Sequence, residues 1–158
     1  QMCIRDRIDA RYVFKGMRKK PEVMEKVFWK LGEQILKYME LVKEYGGDLI
    51  SYADSSGGVN ILGPKMMEAV TVNFTYPFLK KVEQLADDKT MILLCPKTTL
   101  ALIGTEKAKF VDHQLEEPIG YAQACIHMIG KAHFAGQMCI KNVGYQLNHG
   151  IFKEVKLL

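Results

Sequence analysis

Thr90-Met91-Ile92-Leu93-Leu94-Cys95 runs directly into Pro96-Lys97-Thr98-Thr99-Leu100, and the reading of this stretch decides the fold. Four consecutive apolar residues without alternation are what a strand buried on both faces requires. A helix over about 98–103 follows it. Working outward, the same unit recurs. Residues 48–53 (DLISYA) read as a short strand, Asp54-Ser55-Ser56-Gly57-Gly58 as a loop, and Gly63-Pro64 as the start of a helix. That helix carries Met66, Met67, Val70 and Phe74 on one stripe until Pro77, which should kink or restart it. Downstream, 109–112 reads as a third strand, 119–129 as a helix and 131–135 as a fourth strand. Alternating strands and helices predict a parallel sheet with helices packed outside it.

The ends of the chain break this rhythm. Pro21 suits a first helical position, and Val23, Met24, Val27, Phe28, Leu31, Ile35, Met39 and Val42 recur at spacings of three and four. Gly46-Gly47 closes that long amphipathic helix as a C-cap glycine does. At the other end, 143–147, a turn at 148–150 and 151–157 read as a β-hairpin. The first seven residues, QMCIRDR, resemble the in-frame translation of a transposase adapter used in sequencing libraries. On that reading Cys3 is not native and stands outside any site.

The chain has 158 residues, 48% hydrophobic and 25% charged, with a net charge of +4. That balance describes a globular domain. It gives no basic stripe for nucleic acid, since Arg18-Lys19-Lys20 reads as a solvated helix entry. No apolar run reaches the ~20 residues of a membrane span. Cys3, Cys95, Cys125 and Cys139 form neither a CxxC pair nor a dense framework, which points to a reduced, cytoplasmic chain.

Four stretches in order carry a likeness. They are Lys20-Pro21-Glu22 leading to Gly46-Gly47-Asp48-Leu49-Ile50, Tyr52-Ala53-Asp54 followed by Leu62-Gly63-Pro64-Lys65, Tyr76-Pro77-Phe78-Leu79-Lys80-Lys81, and Ile92-Leu93-Leu94-Cys95-Pro96-Lys97-Thr98. Together, over roughly residues 12–136, they resemble the uroporphyrinogen decarboxylase superfamily. Leu62-Gly63-Pro64-Lys65 and Cys95 favour its methylcobalamin:coenzyme M methyltransferase branch. The resemblance implies a (β/α)8 barrel, of which the chain would supply about four βα units from the C-terminal part over 8–142, with the hairpin over 143–158. Such a barrel needs ~250 residues, so the fragment by itself is expected to be inactive and prone to association through its open edges.

The resemblance also implies a chemistry. In that branch zinc holds the thiol of an acceptor such as coenzyme M, and the sulfur takes a methyl group from a corrinoid carried by a partner protein. Cys95 matches the family's zinc cysteine at a strand end. Leu93 stands where the family has a histidine, Pro96 where it has a glycine, and no second "GCG" cysteine loop follows. A rewired site would draw on Cys95, His113 and Cys139, all expected on the carboxyl-end rim of the sheet. The alternative for Cys95 is a small buried residue at a strand end. Asp54 is the candidate catalytic carboxylate, or else a loop cap. Tyr52, Ser55 and Glu116 are the candidate substrate contacts, with Glu116-Glu117 also readable as an acidic first helical turn. Three functions stay open: corrinoid-dependent methyl transfer with an altered zinc site, decarboxylation of a tetrapyrrole in haem synthesis, and non-catalytic binding of a corrinoid protein.

Overall fold

The computed structural model describes residues 10–158, Ser55 and Val143 excepted. The adapter-like reading of residues 1–7 and the assignment of Ser55 to the substrate contacts lie outside the described residues. The chain opens with α1 (Ala10–Lys19) and α2 (Pro21–Glu44), with the break between them at Lys20. Strand β1 (Leu49–Tyr52) follows, then α3 (Val59–Leu62), α4 (Pro64–Val70) and α5 (Tyr76–Val82). Next come β2 (Met91–Leu94), α6 (Pro96–Gly104), β3 (Ala108–Gln114), α7 (Tyr121–His127), β4 (Phe134–Ala135) and β5 (Ile151–Leu157). Among the described residues no helix is long and apolar enough to cross a membrane.

Pro77 does not break its helix. A π-helical turn over Thr71–Thr75 joins α4 to α5. Proline has no N–H to give the carbonyl four residues back, and its ring crowds that carbonyl. A widened turn just upstream absorbs both problems while the helix axis continues.

The five strands form one open sheet in the order β1-β2-β4-β5-β3. Strand β1 pairs with β2, and β2 with β4, all parallel, as the alternation of strand and helix predicts. Already at β2 the order departs from that of a barrel, where consecutive strands are neighbours, because β4 and not β3 lies beside it. Strand β5 lies antiparallel to both β4 and β3, with Ala135 opposite Glu154 and a seven-residue ladder from Ala108↔Leu157 to Gln114↔Ile151. The C-terminal hairpin is therefore corrected. Among the described residues the Ile151–Leu157 strand does not pair with 144–147. Instead Gln146 bridges to Gly120, the Leu147 N–H donates to the Ile119 carbonyl at 3.0 Å, and the Tyr121 N–H to the Tyr145 carbonyl at 2.7 Å. The reason is burial. Phe152, Val155 and Leu157 have inward positions on both sheet faces, and only an interior strand covers both.

Two cores follow from the pleat. On one face Ile50, Ile92, Leu94, Phe134 and Val155 pack against α2, α5 and α6 through Met39, Phe78, Leu79, Val82 and Leu102. On the other, Met91, Leu93, Ala135 and Phe152 pack under α7 through Tyr121, Ala124 and Cys125. Helices thus cover both faces, whereas a barrel keeps them on one. The four side chains of β2 are each at most 2% exposed. Burying a large apolar side chain contributes ~1.5–3 kcal/mol, so the TMILLC run is the keel of the domain.

Candidate functional site

Parallel strands align their carboxyl ends on one edge, and β1, β2 and β4 do so here. Chains of this class place ligands beyond that edge. Strand β1 delivers Tyr52 and Asp54, β2 delivers Cys95, and β4 is followed by Gly136, Gln137 and Cys139.

The first three groups are physically joined. The Cys95 N–H donates to the Tyr52 carbonyl at 3.1 Å, extending the β1–β2 ladder by one rung. Cys95 then caps α6 with extended backbone, and its half-buried thiol is free of any disulfide. One turn into α6, the buried Thr98 hydroxyl donates to the Asp54 carbonyl oxygen at 3.2 Å. Asp54 Oδ1 accepts from the N–H groups of Ser56 (3.1 Å) and Gly57 (3.0 Å). The loop-cap role of Asp54 is thus realised. It shapes the glycine turn that follows β1, and Thr98 ties that turn to the helix behind Cys95. Tyr52 is half-buried and packs on Phe78 with ring centroids 5.6 Å apart. Burial, and secondarily the Asp54 carboxylate, push its phenol above the ordinary tyrosine range, so it stays a hydrogen-bond donor.

Sequence reasoning did not single out Thr98, Gly136 or Tyr121. Gly136 is buried at the end of β4. A Cβ there would stand 2.2 Å from Thr99 Oγ1, 2.9 Å from Val155 Cγ2 and 3.3 Å from Leu94 Cβ. The glycine lets α6 and the sheet meet. A glycine directly after Phe134-Ala135 was the available signal. Tyr121 is 1% exposed under the Gln137–Met138 segment. Its hydroxyl lies near the Cys125 thiol and the Gln137 and Met138 amides without completing a hydrogen bond, and Thr99 Oγ1 is likewise unpartnered. Burial pushes the Cys125 thiol up to about 11.

The remaining sequence candidates lie elsewhere. His113 sits on β3, where its Nε2 meets Glu154 Oε2 at 2.8 Å and its ring lies against Phe152. Strand β3 is three strands from β2, which puts about 14 Å between them at the normal strand spacing. Cys139 is half-buried beyond β4, at the head of the turn closed by the Asn142 N–H at 2.8 Å. Cys95, His113 and Cys139 do not gather, and no group of three metal-ligating side chains occurs among the described residues. Glu116 is exposed in the connection after β3 rather than in a first helical turn, since α7 begins at Tyr121 behind Gly120. There the Gly120 N–H is taken by Gln123 Oε1 at 3.3 Å.

No family model matches the chain, and neither a curated protein nor a solved structure matches it.

Proposed function

We propose that this chain is part of a corrinoid-dependent methyltransferase of the uroporphyrinogen decarboxylase superfamily, and that the β1–β2 carboxyl edge is its substrate face. The observation that carries the reading is that bonds to main-chain carbonyls hold the strand ends bearing Tyr52, Asp54 and Cys95 together at that edge, Cys95 N–H to the Tyr52 carbonyl at 3.1 Å and the Thr98 hydroxyl to the Asp54 carbonyl at 3.2 Å. It is supported by the order of the four family-like stretches, which ends on the strand that presents Cys95.

Among the described residues no three side chains gather as a zinc site would need. What the chain's own residues supply is placement and a proton acceptor. Methyl transfer forms a sulfur–carbon bond as the methyl leaves its cobalt with the bonding pair staying on the metal. The acceptor thiol gives up a proton. Asp54 Oδ1 is committed to the loop N–H groups, and Asp54 Oδ2 is the oxygen assigned to accept that proton. The Tyr52 phenol, kept protonated by burial, donates to the substrate. Cys95 adds a half-buried free thiol at the end of the neighbouring strand.

The test uses the longer protein that carries this segment. Methylcobalamin and coenzyme M are mixed with it, and loss of the methylcobalamin absorbance is followed. Methyl transfer that falls by roughly 100-fold in Cys95→Ser and in Asp54→Asn supports the reading. Turnover of a porphyrinogen without methyl transfer refutes it. The separation of His113 from Cys95 favours a second reading, a member that binds a corrinoid protein without catalysis. Corrinoid-protein binding unaffected by Cys95→Ser, with no demethylation, would establish that one instead.

A further inference from the structure

Helix α2 carries two apolar faces, and the protein uses only one. Met39 and Gly32 lie buried, with Ile35, Leu36 and Val42 packed beside them on the sheet. On the far side Val23, Val27, Tyr38, Leu41 and Tyr45 are 40–87% exposed. With Lys30 and Gln34, both exposed, they fall every third or fourth residue along one line of the helix and its C-cap. A helix packed on a core ordinarily shows water a polar face there.

We propose that this stripe is a homodimer interface, in which α2 packs antiparallel against α2 of a second copy about a two-fold axis at Gln34. The stripe is its own complement when reversed about that residue. Val23 meets the partner's Tyr45, Val27 the partner's Leu41, and Lys30 the partner's Tyr38, while the two Gln34 amides meet on the axis. Apolar residues therefore meet apolar ones, a lysine faces an aromatic ring, and the amides satisfy one another. The flank decides for a second copy over an unrelated partner. Lys26, Glu33, Lys37 and Glu44 are exposed along one side of the stripe. Flank positions of antiparallel helices meet about a centre one residue further on, which puts Glu33 opposite the partner's Lys37 and Lys26 opposite the partner's Glu44, so all four flank contacts join opposite charges. Among the described residues the exposed Lys30–Glu33 pair at 3.1 Å is the ion pair to be rearranged there, and an exposed pair of that kind contributes little. A two-fold interface must be self-complementary in this way.

Sedimentation equilibrium of the 158-residue chain over a wide concentration range tests the proposal. A reversible monomer–dimer equilibrium is expected. Leu41→Glu, at a half-exposed position whose change spares the fold, should weaken it by about 100-fold, because each dimer loses two contacts. Glu33→Lys should weaken it by roughly tenfold, and adding Lys37→Glu should restore it by swapping both partners of each pair. Under mild copper–phenanthroline oxidation Gln34→Cys should cross-link as a dimer, and Glu22→Cys, off the stripe, should behave as the unmodified chain. A monomer at every concentration overturns the proposal. So does association that ignores Leu41→Glu, or a Glu33→Lys/Lys37→Glu chain that stays as weak as Glu33→Lys alone.

Discussion

Replacing Gly136 by alanine tests the packing that places the β4 end of the candidate site. The new Cβ would stand 2.2 Å from Thr99 Oγ1 and 2.9 Å from Val155 Cγ2, both on buried side chains. Gly136 does not have a positive φ, so the penalty is one of volume alone. Overpacking a tight core costs ~1–3 kcal/mol, and a contact this short belongs at the upper end. We expect a loss of about 3 kcal/mol, or a Tm lower by roughly 6–12 °C at this chain length. Thr99→Ala should be nearly neutral alone. It loses a buried methyl, worth ~0.8 kcal/mol, and removes an unpartnered hydroxyl whose burial costs ~1–3 kcal/mol. In the double variant the Thr99 clash disappears and the Val155 clash stays, so about 1–2 kcal/mol should be regained as a coupling term. Thr99→Val is the control. It removes the hydroxyl, keeps the bulk, and should rescue nothing. Urea unfolding followed by far-ultraviolet circular dichroism reads all four chains, with an unchanged slope showing that the folded state is preserved. Additivity of Gly136→Ala and Thr99→Ala would refute the reasoning, as would a Gly136→Ala chain within about 0.5 kcal/mol of the parent.

Three further outcomes follow from the same structure. The Cys125 thiol ionises near 9 when unfolded and at about 11 when folded. Its contribution should hold below about pH 9 and fall by roughly 3 kcal/mol as pH rises towards 11, and Cys125→Ala should remove the loss between about pH 9 and 10 in pH-dependent urea melts, above which the buried Tyr52 and Tyr121 phenols add their own. Native thiol titration at pH 8 should label Cys95 and Cys139 rapidly and Cys125 only on unfolding; early labelling of Cys125 would contradict its burial under α7. His113→Ala should leave the rate of Cys95 labelling by a thiol reagent unchanged, because β3 lies three strands from β2, and a changed rate would contradict that strand order.

What the sequence made legible was local and periodic. The TMILLC run, the proline after it and the 21–44 stripe each state their own structure, because an unbroken apolar run and a three-to-four spacing have few competing solutions. The expectation of strand and helix in alternation held for the same reason. Register between distant segments was not legible. Residues 151–157 show partial alternation that fits an edge hairpin or an interior strand equally well. The choice rested on Ala108–Gln114 offering a seven-residue antiparallel partner, which no local pattern displays. The site shows the same division. Asp54 and Cys95 were legible as strand-end residues, whereas Thr98 joins them only because β1 and β2 are neighbours.

The insertion of β5 explains why the expected zinc trio dissolves. His113, Cys95 and Cys139 were expected on one rim because each follows or ends a strand, and in a sheet of consecutive neighbours β2, β3 and β4 would lie side by side. With β4 taking the place beside β2 and β5 pairing between β4 and β3, His113 moves to the far edge of the sheet. The same insertion gives it a partner. Glu154 enters on β5 and takes the imidazole at 2.8 Å, and Lys153 pairs with Asp112 at 2.8 Å on the opposite face. The charged residues of β3 are therefore used to hold β5, away from the carboxyl edge formed by β1, β2 and β4. That division assigns His113→Ala a cost in the β3–β5 ladder and none at Cys95. An exposed cross-strand pair contributes ~0.2–1 kcal/mol. A half-buried one like His113–Glu154 belongs at the top of that range, so urea melts of His113→Ala and Glu154→Gln should show similar small losses. Cys95 thiol reactivity should be the same in both. A change in that reactivity would place His113 back at the site and refute the division.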